Sequence, residues 1–185
     1  MLRTLAYDDF PQLIELGASL FRPKDEMPEL YRALDVCFLE LSYVAVENGH
    51  ILGFTIVCPP MTTVSDVTIL PFRSGSFELA FFGVSPACQG RGIGSRLLKE
   101  TLHTLFQRSL FVWLLVDVSN LGAIRMYESR RFMRWKTISP SESPGPCLIM
   151  VCSRSEPRLP IDPPNKSNCV IECQKLVPFT HASRN

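Results

Sequence analysis

The chain has 185 residues, 46% of them hydrophobic and 20% charged, with a formal net charge of +1. That length suits one domain with a sizeable core, and the balance excludes a disordered chain. No Lys/Arg run attracts nucleic acid, no apolar run approaches the roughly 20 residues of a membrane-spanning helix, and acids interrupt the start MLRTLAYDDFPQ where a signal peptide needs an apolar core.

A cytoplasmic protein is expected, with the nucleus also open. Residues 2–5 read as a short first strand. Asp8 or Asp9 then caps a helix that carries Pro11 in its first turn and Phe10, Leu13, Ile14, Leu20 and Phe21 on one face, ending near Arg22-Pro23. A second helix is predicted from Pro28, with Leu30, Leu34, Cys37 and Phe38 as its buried side. Two β-rich runs, 43–47 and 50–57, flank Asn48-Gly49, a pair that supplies the positive φ angles of a type I′ hairpin turn. Residues 59–76, with Pro59-Pro60 and Pro71, read as a loop over the site, in which 67–70 can extend a strand.

Residues 77–84 carry a single charge, Glu78, and stop at Ser85-Pro86, so a strand covered on both faces is predicted. Gln89-Gly90-Arg91-Gly92-Ile93-Gly94 follows, with glycines on alternate positions. Ile93, Leu97, Leu98, Leu102, Leu105 and Phe106 then fall on one helical stripe. A strand over 110–116 and a helix over 120–131, marked by Leu121, Ile124 and Tyr127, come next. Residues 132–138 and 147–152 pair as final strands around a Pro-rich connection. The domain is therefore 1–152. Residues 153–185 are a Pro-rich tail without period, expected to be disordered apart from 169–176. Alternating strands and helices behind an antiparallel hairpin indicate an α/β (α+β) fold with a sheet of mixed direction.

Seven cysteines stand at 37, 58, 88, 147, 152, 169 and 173. Several lie within apolar runs, where a reduced thiol packs as a small hydrophobe. Cys169 and Cys173 have no second close pair and the histidines are scattered, so no metal site is expected.

A helix start as bare as Gly92-Ile93-Gly94 presents unpaired N–H groups and is an anion site, most often for a phosphate ester. A P-loop would need Lys-Ser/Thr after its last glycine, where Ser95-Arg96 stands. A dinucleotide fold has an acid in place at Asp117, but GxGxxG fails in both registers, and too little chain precedes the loop for a doubly wound sheet. A third reading, carried by a family resemblance, is an acyl-CoA site. Its pyrophosphate would be wrapped by the N–H groups of Gln89, Gly90, Arg91, Gly92, Ile93, Gly94 and Ser95, with Arg91 and Arg96 as charge partners.

Gln89-x-x-Gly92-x-Gly94 resembles the Q/R-x-x-G-x-G/A signature of the GNAT N-acetyltransferases, and Asn120-x-x-Ala123-x-x-x-Tyr127 resembles their second segment. The resemblance covers about residues 2–151 and is sharpest over 78–132. It implies a mixed, mostly antiparallel sheet splayed between strands 4 and 5, with acetyl-CoA as co-substrate in the gap. Pantetheine amides would pair with backbone near Gly83 and Val84, and Asn120 would either cap its helix or reach the cofactor. The family's usual glycine before the last phenylalanine is Arg131 here, which implies a different cap or local strain.

Acetyl transfer needs a neutral amine and a proton for the leaving thiolate. A lysine amine costs about 4.6 kcal/mol to deprotonate at pH 7 and an α-amine only about 1–1.4. Glu78, the sole charge in its strand, is the candidate base, and its setting also resembles the histone-acetyltransferase branch. Tyr127 is the candidate acid. A protein or peptide amine is the expected acceptor, attacking directly in a ternary complex. Small-molecule amines and a non-catalytic acyl-CoA-binding role stay open as alternatives.

Overall fold

The computed structural model describes residues 1–60, 76–109, 111–139 and 145–154. The expected loop over the site, the Pro-rich connection, the tail and Cys169 and Cys173 lie wholly or mostly outside them. The described elements run β1 (Leu2–Thr4), α1 (Phe10–Leu20), α2 (Glu26–Val36), β2 (Tyr43–Glu47), β3 (His50–Cys58), β4 (Phe77–Val84), α3 (Ile93–Arg108), β5 (Phe111–Asp117), α4 (Leu121–Glu128), β6 (Met133–Ile138) and β7 (Cys147–Ser153). The seven strands form one sheet in the order β1-β2-β3-β4-β5-β7-β6. Every neighbouring pair is antiparallel except β4–β5, which is parallel. The fold is the mixed α/β sheet of the GNAT type.

The hairpin forms where expected, with Asn48 at φ 52° and Gly49 at φ 79°. Some boundaries differ. α2 starts two residues before Pro28 and stops at Val36, so Cys37 and Phe38 are not its buried side. Cys37 caps its end in an extended conformation, while Phe38 donates its N–H to the Val57 carbonyl at 2.9 Å. α4 stops at Glu128 and not at Arg131, and the following strand starts at Met133.

Helices cover the sheet from both sides. Leu13, Leu30, Ala33 and Leu34 of α1 and α2 pack with Val44, Phe54, Ile56 and Cys58 on one face. Leu98, Leu102 and Leu105 of α3, with Ile124 and Tyr127 of α4, pack with Val57, Leu79, Val112 and Leu114 on the other. Two hydroxyl pairs anchor α3 to the sheet: Thr101 to Thr55 at 2.8 Å, fully buried, and Thr104 to Tyr43 at 2.7 Å. Each pair satisfies polar groups that burial would otherwise penalise.

The β3–β4 ladder spans Gly53↔Val84 to Cys58↔Glu78, with a bulge between Ile56↔Phe81 and Val57↔Leu79. Side chains alternate along a strand, so Glu78 would share a face with Ala80 and Phe82 in a regular one. The extra residue breaks that parity. Phe82 and Leu79 belong to the α3/α4 face, whereas Phe81, Ala80 and Cys58, the register partner of Glu78, belong to the α1/α2 face.

Candidate active site

β4 pairs with β5 only at Phe77↔Val112 and Glu78↔Trp113. Beyond these the two parallel strands diverge, while β5 stays bonded to β7 along its whole length. The opening is a cleft of about 720 Å³, walled by Leu79–Val84 of β4, Leu115–Asp117 of β5, the glycine loop, α4 and the end of α1. Ala80, Phe81 and Phe82 are only half-buried, because this wall is open where full coverage was expected.

The glycine loop forms one end of the cleft. Gly90 and Gly92 have φ of 76° and 75°, in the left-handed region that glycine occupies without penalty. Gly92 is also the residue before α3, and no side chain caps that helix. Among the described residues, none of the backbone N–H groups of Gly90, Arg91, Gly92, Ile93, Gly94 and Ser95 has an acceptor; the first helical bond is Arg96 N to Gly92 O at 3.1 Å. Gly94 lies close under β4: a Cβ there would stand 3.0 Å from Phe82 Cζ. Six consecutive donors at a bare helix start fit a pyrophosphate, since the N–H groups and the helix dipole favour the same negative charge.

The other expected cofactor residues divide. Gly83, Val84, Gln89, Gly90, Gly92, Ile93, Gly94, Ser95 and Asn120 all line the cleft. The Gln89 side-chain amide donates back to Val84 O at 3.4 Å. Arg91 does not line the cleft. Its exposed guanidinium turns to Glu47 at 2.9 and 3.1 Å and to Cys88 Sγ at 3.7 Å. Asn120 is a helix cap, its Oδ1 accepting from Ala123 N at 3.1 Å.

Tyr127 lies at the floor of the cleft, 7% exposed, with its ring edge-on to Phe82 at 6.1 Å and tilted on Phe132 at 5.5 Å. Burial raises the phenol pKa, so the hydroxyl keeps its proton well above neutral pH. No hydrogen bond among the described residues occupies it. The α4 terminus holds it in place. Phe132 N bonds Tyr127 O at 3.1 Å and Arg131 N bonds Glu128 O at 3.0 Å, the Schellman pattern, and the Tyr127–Phe132 ring contact is its usual apolar partner. Arg131 takes φ 67° to complete it. The arginine does not bring a different cap; it adopts the glycine's conformation at a local cost.

Glu78 is 5% exposed beside Cys58 and Trp113, one residue beyond the cleft wall that begins at Leu79. Glu26 and the aromatic wall were not anticipated as site residues, and Asp117, weighed only as a ribose-binding acid, lines the cleft with them. Only the convergence of α1 with the splayed strands brings them there. Among the described residues no helix is long and apolar enough to cross a membrane, and no group of three or more His, Cys, Asp or Glu gathers.

A splayed parallel strand pair with an uncapped helix start at its mouth and a buried, protonated tyrosine at its floor defines an acyl-CoA-dependent transferase. Residues 5–132 match the acetyltransferase (GNAT) family, and the chain belongs to that family. It is an N-acetyltransferase that uses acetyl-CoA. It is 34% identical over 127 residues to the N-alpha-acetyltransferase RimI of Mycobacterium tuberculosis, covering 68% of this chain and 73% of that one. It is 43% identical over 105 residues to a mycothiol acetyltransferase of Thermomonospora curvata, of which it covers only 31%. The solved structure of Ard1 from Thermoplasma volcanium shares the fold at a TM-score of 0.67 and 19% identity, over 84% of this chain and 98% of that one.

Proposed function

We propose that the protein acetylates a primary amine of a protein or peptide, with the chain-terminal α-amine as the favoured acceptor. The carrying observation is the make-up of the cleft: one end is a cradle of N–H donors, Tyr127 lines it with a protonated phenol, and the rest is apolar apart from Glu26, Asp117 and Asn120. Similarity to an N-alpha-acetyltransferase along most of both chains supports the acceptor class. So does the chemistry, because an α-amine with a pKa of about 7.7–8 needs far less help to lose its proton than a lysine.

The residues act as follows. Loop and first-turn N–H groups from Gln89 to Ser95 hold the pyrophosphate, and β4 backbone at Gly83 and Val84 aligns the pantetheine. The amine attacks the thioester carbonyl directly. Tyr127 hydrogen-bonds the departing sulfur through its phenolic O–H and passes its proton as the C–S bond breaks; because the buried phenol is a weaker acid than a thiol of pKa about 8.5, the transfer is completed by return to the phenolate of the proton that the attacking amine loses. Glu78 serves as base through water, since the residue adjoins the cleft wall at Leu79 without lining it. Glu78→Gln is expected to depress turnover at pH 7 and to lose less at pH 9, with acetyl-CoA binding intact. An unchanged pH–rate profile removes Glu78 from the mechanism.

A small-molecule acceptor is the second reading, favoured by the 43% identity to a mycothiol acetyltransferase. Incubation with labelled acetyl-CoA and a panel of peptides with free α-amines, lysine peptides, polyamines and amino sugars, read by mass spectrometry, separates the two. Label confined to the small amines overturns the peptide reading.

A further inference from the structure

Charge is unevenly divided along the chain. Residues 1–60 hold nine acids against four Lys or Arg, whereas residues 125–136 hold five cations and one acid. Ion pairs from residues 1–60 to later elements use Asp117, Arg91 and Arg108, and none reaches Arg125, Arg130 or Arg131. Four arginines come together where α4 ends. Arg130 and Arg131 form its terminal turn, and the Arg130 carbonyl accepts the Cys152 thiol of β7 at 3.5 Å. Arg154 lies two residues beyond Cys152. Arg125 stands one turn back, near Glu128, which pairs with Arg134 at 2.7 Å. Arg125, Arg131 and Arg154 are exposed, while Arg130 Nε is buried without an acceptor. Among the described residues none of the four has an ion-pair partner.

The helix dipole favours a cation at this end, and an edge strand such as β6 commonly carries Lys or Arg. Neither effect requires four guanidiniums without counter-charge, which repel one another. Neither requires an arginine at φ 67°, where glycine would stand without penalty. A guanidinium N–H buried without an acceptor is likewise costly unless a ligand meets it. The cluster also lies apart from the glycine loop. β7 runs antiparallel to β5 and pairs Ser153 with Phe111, so Arg154 adjoins the closed end of the cleft, where Phe77 pairs with Val112. The N–H cradle is at the opposite, open end.

We propose that this face docks the phosphodiester backbone of a nucleic acid, held by Arg125, Arg130, Arg131 and Arg154 without regard to base sequence. The guanidinium fork matches phosphate oxygens. A protein partner fits less well, because protein interfaces carry an apolar core whereas nucleic-acid interfaces are polar and strongly basic. The exposed large hydrophobics among the described residues are Met1, Tyr7, Tyr31, Val36 and Leu121, and of these only Leu121, at the far end of α4, shares an element with the arginines. The chain has no unbroken Lys/Arg run; the fold assembles the charge from α4, the turn after it and the end of β7. The proposal is independent of which amine is acetylated.

Fluorescence anisotropy of the full chain with a labelled DNA duplex of about 20 base pairs tests the assignment. About four phosphate contacts predict micromolar binding at 50 mM KCl and a slope of log K against log [KCl] near −3.6, a loss of about 150-fold by 200 mM. The double variant Arg125→Gln/Arg154→Gln is expected to reduce the slope by about two and to weaken binding at 50 mM KCl at least about tenfold. Its melting temperature is expected to rise on adding acetyl-CoA as much as that of the wild type. Arg91→Gln, a loop arginine already paired with Glu47, is expected to change duplex binding less than about twofold. Saturating acetyl-CoA is expected to leave the duplex bound. Absence of binding at 50 mM KCl, or an unchanged slope in the double variant, overturns the proposal. Displacement by acetyl-CoA also overturns it, by placing the nucleic acid on the glycine loop. Equal affinity for a poly-glutamate of similar charge overturns it in favour of an acidic protein partner.

Discussion

Two helices start at the same cleft and are finished in opposite ways. α3 begins after a left-handed glycine with no side-chain cap, and the N–H groups of residues 90–95 have no acceptor among the described residues. α4 begins at Asn120, whose own side chain takes the Ala123 N–H, and ends in a complete Schellman motif closed by Arg131. A helix terminus leaves four backbone groups without intrahelical partners. α4 takes the Leu121 and Ala123 N–H groups at its start and the Tyr127 and Glu128 carbonyls at its end within its own segment, and so holds Tyr127 in place. α3 leaves its first N–H groups open, as the proposed pyrophosphate site requires. Binding and positioning are thus separated by how each helix end is capped.

The comparison can be broken most severely at Gly92. Gly92→Val puts a β-branched residue at φ 75° and must move the loop. Losing one or two charge-assisted hydrogen bonds of about 1.5–3 kcal/mol each is expected to weaken acetyl-CoA binding about 10- to 100-fold or more, measured by calorimetry. Unchanged affinity would show that the loop donors do not hold the cofactor.

Tyr127→Phe leaves α4 intact and removes only the phenolic proton. A drop in kcat of about 100-fold, within the range for general acids, is expected with KM for acetyl-CoA changed by less than about threefold. A larger change in KM than in kcat would make the hydroxyl a binding group.

Asn120→Ala removes a self-contained cap. It is expected to cost about 1 kcal/mol of stability while acetyl-CoA affinity changes by less than about threefold. The reverse pattern, normal stability with weak binding, would move Asn120 from the α4 cap to the cofactor site. Arg131→Gly should be the mildest, and stabilising. Relief of a left-handed arginine is worth about 1 kcal/mol, partly offset by the greater freedom of glycine in the unfolded chain. A rise in Tm of about 1–3 °C with unchanged kinetics is expected.

Much of this site could be read along the chain because its chemistry is local. The glycines of 90–94, the strand with its single charge before them and the spacing from Asn120 to Tyr127 each act within a few residues of themselves. The β4 position followed from a charge-poor run, the α3 position from its helical stripe and the hairpin from its Asn-Gly pair. What local pattern could not reach was anything that depends on pairing. The bulge between Phe81 and Leu79 has no Gly or Pro to announce it, yet it moves Glu78 to the α1/α2 face, away from Phe82. Arg91 looked like a phosphate partner by its place in the loop, but Glu47, 44 residues away, takes its guanidinium.

The chain alone therefore dictated a bare helix start, a single charge in a buried strand and a tyrosine on an amphipathic helix, because dihedral preference and side-chain period are properties of short segments. Tertiary structure decided where the strands part, which face Glu78 takes, how Arg131 completes the cap beneath Tyr127, and that Arg154 joins the arginines at the end of α4. Each of these depends on residues far apart in the chain whose contacts exist only once the sheet has formed.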